Sequence, residues 1–200
     1  IAMKTGQFYL IPLLVSTVAA AGLLYLFSFS GQMASAAGAD LAVAASIVVN
    51  TTADELNDDG DCSLREAVQA ANTDNSVDAC TAGSLDDTIE LPAVRYIFAL
   101  GDAGEDANAT GDLDFMSKVT LIGGDTDTTI IDGNQLDRVL HIHASASVDL
   151  ATLTIANGKA PDGEESGCGD AGDAPCPGGN GGGVLNEGML RLGHSLVISN

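Results

Sequence analysis

"VDLATLTIANG" runs from Val148 to Gly158, and "LRLGHSLVISN" runs from Leu190 to Asn200. The two superimpose without a gap at a constant offset of 42 residues. Between them lies a Gly/Asp/Pro-rich insertion, residues 159–182. Removing it leaves a period of roughly twenty, the length of one turn of a β-solenoid. Side chains alternate along a strand, so Val148, Leu150, Leu153 and Ile155 are predicted to stack on their equivalents one turn away.

The flanking sequence has the same texture. "SIVVNTTAD" (46–54) reads as a strand of β-branched residues ended by an acid. From residue 86 onward, "DTIELP", "YIFAL", "VTLIGG", "TTIIDGN", "RVLHIH" and "GGVLNEG" alternate with Gly, Asn and Asp. No helices intervene and no Asn-Gly hairpins join the runs, which disfavours a helix-covered parallel sheet and leaves an antiparallel sandwich as the rival fold. Aromatic residues make up only 4% of the chain and Trp is missing, so thin, repetitive packing suits it better than a bulky core. The expected fold is all-β: a right-handed parallel β-helix, with a short N-terminal capping α-helix and an N-terminal hydrophobic helix.

Residues 8–29 carry no charge, follow Lys4 and precede a small-residue site at Ala34-Ser35-Ala36. Residues 1–36 therefore read as a signal peptide or a membrane anchor. The segmentation that follows is a linker at 37–46, a cap region at 47–100 and β-helix turns at 101–200. The body is expected to be secreted or displayed at the cell surface. An even count of four cysteines favours two disulfides there. Three connectivities are open, the local one being Cys62 with Cys80 and Cys168 with Cys176.

The capping helix is read from "DGDCSLREAVQAAN", residues 59–72. Ser63 and Glu66 form a capping box, each side chain placed to bond the other's backbone N–H. Leu64, Ala67, Val68 and Ala71 then share one apolar stripe, and Asn72 is the expected stop. About ten residues make too short a helix to stand alone, so it must dock. The end of a solenoid, with unpaired strand edges and an open core, needs such a cover.

"CSLREAVQAAN" resembles the signature of the CSLREA domain, a family of exported bacterial and archaeal proteins. The runs "GDLDF", "TTIIDGN", "DRVLHI" and "LTIANG" are similar to the turns that follow that signature. The resemblance covers about residues 47–200 and implies a right-handed parallel β-helix of the pectin-lyase type. It implies a surface or secreted module more than any particular activity.

The same loop admits a metal reading. With Gly60 at the sixth place of a calcium loop, Glu55, Asn57, Asp59, Asp61 and Ser63 fall at positions 1, 3, 5, 7 and 9, and Glu66 at 12. Calcium is the one cofactor the pattern suggests, and none is required. Glu66 would then have to serve both the ion and the helix cap.

Net charge is −21, which disfavours nucleic acid and anionic lipid as partners and leaves membrane contact to the N-terminal segment. Extracellular ligands remain, including polysaccharide, together with self-assembly. Asp112, Asp114, Asp125, Asp127, Asp132 and Asp137 are candidate acids, but nothing selects the spaced pair that glycoside hydrolysis needs. Asp132-Gly133-Asn134 reads as a turn, and Arg138 as a partner of Asp137 or Asp132. His141 and His143 alternate by two and share a strand face, expected to be solvent-facing, with a metal site as the alternative. The leading expectation is a non-catalytic module for adhesion, envelope interaction or scaffolding. A carbohydrate-active enzyme and a filament subunit are the rivals.

Overall fold

The computed structural model describes residues 44–102, 104–161 and 179–200. The N-terminal hydrophobic segment, most of the linker, Cys168, Cys176 and most of the insertion lie outside the described residues. In chain order the elements begin with β1 (Ser46–Val48), α1 (Leu64–Thr73), β2 (Asp86–Leu91), β3 (Arg95–Ile97), β4 (Leu113–Phe115) and β5 (Lys118–Gly123). They continue with β6 (Ile130–Asp132), β7 (Leu140–Ile142), β8 (Ser147–Ala151), β9 (Thr154–Ala156), β10 (Val184–Asn186), β11 (Met189–Gly193) and β12 (Leu196–Ile198).

Every paired strand is parallel to its neighbour, and the strands fall into three sheets. The first sheet has the order β1-β2-β5-β8-β11, the second β4-β7-β10 and the third β3-β6-β9-β12. From β2 onward the chain visits the first, third and second sheets in strict rotation. β2 and β3 thus already belong to the ladders, although they precede residue 101.

Register turns the sequence repeat into columns of like residues. Ile47, Ile89, Leu121, Leu150 and Leu192 form one column across the first sheet. Tyr96, Ile131, Ile155 and Val197 form another across the third, and Leu113, Leu140 and Val184 a third across the second. All but the members on β10, β11 and β12 are buried. Each fully buried Leu, Ile or Val stabilises by about 1.5–3 kcal/mol, so these columns dominate the folding free energy.

The expected alignment of 148–158 with 190–200 is present in the register of β8 with β11 and β9 with β12. Backbone angles repeat as well. Thr152 and His194 have φ of 54° and 52°, and Asn157 and Ser199 have 55° and 56°. Four non-glycine residues in the left-handed region mark equivalent corners. The expected period of about twenty is too short. First-sheet equivalents on β5 and β8 are separated by 29 residues, because the chain passes through a strand of each of the other two sheets before it returns to the first.

α1 packs against β2 and β4, burying Leu64, Ala67, Val68, Ala70 and Ala71. The capping box is formed: Glu66 N–H donates to Ser63 Oγ (3.1 Å), and Ser63 N–H donates to Glu66 Oε2 (2.9 Å). The helix does not stop at Asn72. It runs to Thr73 and ends on Asp74, whose φ of 53° breaks the helical ladder.

Asn72 instead points at the free edge of β4. Its amide nitrogen donates to the Asp114 carbonyl (2.6 Å), and its amide oxygen accepts from Met116 N–H (2.9 Å). One side-chain amide thus supplies the donor and acceptor that a neighbouring strand would have offered. Cys62 and Cys80 form a disulfide at the start of this unit.

Candidate metal centre

The Glu55–Glu66 loop is held by hydrogen bonds before any ion is considered. Glu66 uses one carboxylate oxygen for Ser63 N–H and the other for Asn57 N–H (3.0 Å). Asn57 Nδ2 bridges Glu55 (2.8 Å) and Asp59 (3.4 Å). Asp78, which the calcium spacing does not include, accepts from three successive backbone N–H groups. These belong to Gly60 (2.8 Å), Asp61 (3.1 Å) and Asp59 (3.2 Å). Gly60 takes φ +97°, which lets the three N–H groups converge. They hold the Asp78 carboxyl below its usual range.

Carboxylate oxygens of Glu55, Asp59 and Asp61 lie within 4.8 Å of one another, as do those of Asp61, Glu66 and Asp78. Partial burial pushes both Glu55 and Asp61 upward, with the charge of Asp59 adding in each case. Asp61 Oδ1 has no hydrogen-bond partner. The spacing therefore gathers its acids, but the loop is closed by Asp78 and the helix cap.

A second cluster is built by strand register. Asp114 on β4 stands opposite His141 on β7, and the alternation along β7 brings His143 to the same side. The two imidazole rings lie 3.9 Å apart, tilted by 33°. Asp114 Oδ1 is 3.1 Å from His141 Nδ1 and 3.0 Å from His143 Nε2. Its other oxygen accepts from Asn108 N–H (2.8 Å), which fixes the carboxylate plane. Asp106 Oδ1 approaches His141 Nδ1 to 3.5 Å, and Glu187 Oε2 lies 3.7 Å from His141 Nε2.

The expectation of solvent-facing histidines is corrected for His141, which is 5% exposed. The segment carrying Asp106 and Asn108 folds over this side of β4 and β7, together with Glu187 beyond β10. Burial pushes the Asp114 carboxyl up, while the Asn108 N–H and both imidazoles pull it back.

Arg138 pairs with neither expected acid side chain. Its Nε donates to Asp112 (2.7 Å), and only its backbone N–H reaches Asp137. Asp132 pairs with Arg95 (2.9 Å) and also accepts from Asn134 N–H, closing the expected turn. Burial pushes Asp112 up to about 6 despite Arg138, with Asp137 and Asp114 adding to the rise. Asp125 bonds Asp127 N–H in a local turn.

Sequence reasoning passed over Asp54, Arg65, Asp78, Asp106, Asn108 and Glu187. Arg65 lies within the 59–72 stretch, but its partners are distant in sequence. Among the described residues, no helix is long and apolar enough to cross a membrane. No protein-family model matches the chain, and neither a curated protein nor a solved structure matches it.

Proposed function

We propose that this chain is an exported, non-catalytic module built on a right-handed parallel β-helix, and that it binds a neutral polysaccharide of the cell envelope. Strict rotation through three parallel sheets, with like residues in columns, supports the β-helix. The disulfide supports an oxidising compartment.

The outward face of the first sheet carries the binding proposal. Asp86, Lys118 and Ser147 form one of its columns, and Thr88, Thr120, Asp149 and Arg191 the next. All of these except Ser147 line a shallow groove of about 240 Å³. Lys118 pairs with Asp86 at 2.7 Å, and Arg191 lies 3.7 Å from Asp149. Hydroxyls, carboxylates and cations repeated in parallel rows offer the donors and acceptors that a hydroxyl-rich polymer needs. Net charge of −21 disfavours anionic polymers.

The test is co-sedimentation of the full chain with insoluble neutral glycans, with the soluble fraction assayed for new sugar ends. Retention weakened by Thr120→Ala and Arg191→Ala, with no new ends, is the expected result. Release of sugar ends would replace the proposal with the carbohydrate-active enzyme. Equal retention of parent and variants would remove the groove as the site.

Calcium at the Glu55–Glu66 loop is a second reading, favoured by Asp61 Oδ1 and the raised Glu55 and Asp61 carboxyls. It predicts a lower Tm in EDTA, restored by Ca²⁺. An unchanged Tm removes it.

A further inference from the structure

We propose that Asp106, Asp114, His141 and His143 bind a first-row divalent transition metal of the zinc class, and that this ion fastens the segment carrying Asp106 to β4 and β7. The inference is independent of the polysaccharide reading.

The spacing of the donor atoms comes first. Metal–donor bonds of about 2.0–2.1 Å place neighbouring ligands roughly 2.9 Å apart at right angles and roughly 3.4 Å apart in a tetrahedron. The observed separations around Asp114 Oδ1 and His141 Nδ1 are 3.0, 3.1 and 3.5 Å. One donor atom from each of the four residues lies within 4.8 Å of all the others. Two imidazoles with two carboxylates suit zinc and its neighbours, whereas Ca²⁺ prefers oxygen donors alone at longer distances.

The state of His141 is the second, independent observation. It is 95% buried, yet neither ring nitrogen makes a hydrogen bond. Asp114 Oδ1 is close enough to Nδ1 but is poorly aligned for a proton shared along the line between them. Both atoms are instead placed to converge on a third. Glu187 lies on the Nε2 side, where a carboxylate favours a proton on that nitrogen and leaves the Nδ1 lone pair for a metal.

Asp114 is fully buried, whereas the Asp106 side chain is 65% exposed. The site is therefore backed by the sheet, with one solvent-exposed acid on its outer side. Such an ion would hold the middle of the 98–112 connection, whose far end Arg65 already grips through the carbonyls of Gly111 (2.8 Å) and Asp112 (3.2 Å).

The experiment uses the full chain without a polyhistidine tag, stripped with a chelator and titrated with Zn²⁺ in excess Ca²⁺. The proposal expects one Zn²⁺ per chain, a Tm raised by several degrees, and Co²⁺ absorption bands that report imidazole ligation. Asp106→Asn should weaken Zn²⁺ about ten- to a hundredfold. Because that side chain is exposed, the metal-free Tm should not change. His143→Ala should abolish the Co²⁺ bands. Failure to bind one Zn²⁺, or equal affinity in parent and Asp106→Asn, would overturn the assignment. Equal affinity would place the ion elsewhere, including the Glu55–Asp61 loop.

Discussion

Arg65 Nε donates to Asp54 Oδ1 at 2.6 Å, with both side chains withdrawn from solvent. The other Asp54 oxygen accepts from the N–H groups of Ala99 (2.8 Å) and Leu100 (2.9 Å). The guanidinium continues to the carbonyls of Gly111 and Asp112 and lies 5.3 Å from the centre of the Phe98 ring. One ion pair thus joins the helical cap to both ends of the 98–112 connection. Arg65→Ala leaves Asp54 buried without its cation and two carbonyls unpaired. The expected loss is about 3–5 kcal/mol by urea denaturation. Arg65→Lys should recover only part of it, because an ammonium cannot span the same fork of acceptors.

Asn72→Ala removes the amide that pairs with the edge of β4. Losing its bonds to Asp114 and Met116 should lower stability by about 1–3 kcal/mol. Asn72→Asp keeps the acceptor for Met116 N–H but loses the donor, so it should also destabilise. The same urea titrations provide the check.

Asp78 sets a pH dependence with a definite sign. Three backbone N–H groups, Gly60 foremost, hold its folded pKa below the ordinary 3.8. A depressed carboxylate contributes stability that is fully present well above 3.8 and fades as pH falls through the folded value. Asp78→Asn should therefore be less stable than the parent at neutral pH, and the gap should narrow on acidification below the ordinary value. A gap independent of pH would mean that the carboxylate charge is irrelevant to the loop.

Cys62–Cys80 closes a segment with a sequence separation of 18, and that segment contains α1. Replacing both cysteines by Ala should lower stability by about 3 kcal/mol, mainly by freeing the unfolded chain. Guanidinium midpoints of the parent and the double variant measure it.

What could be read from sequence was what lies close in sequence. Ser63 and Glu66 are three residues apart, so their mutual bonds follow from helix geometry. The offset between 148–158 and 190–200 is an alignment, and the register reproduces it. The expected period is too short because removing all of 159–182 takes out more than the extra length: β8 and β11 equivalents stand 42 residues apart and those of β5 and β8 stand 29 apart, a difference of 13. His141 and His143 looked exposed because alternation gives a face but cannot say what covers it. The cover comes from Asp106 and Glu187, which lie 35 and 46 positions from His141. Arg65 was hidden for the same reason, its carbonyl partners lying 46 and 47 residues away.

The central structural claim is that residues 59–72 serve as a cap for the strand ladders. Amide hydrogen exchange in the parent and in Asn72→Ala tests it most directly. The account predicts that Met116 N–H and the amides of β4 exchange faster in the variant, while those of β8 and β9 keep their protection. Unchanged exchange across 113–116 would contradict it.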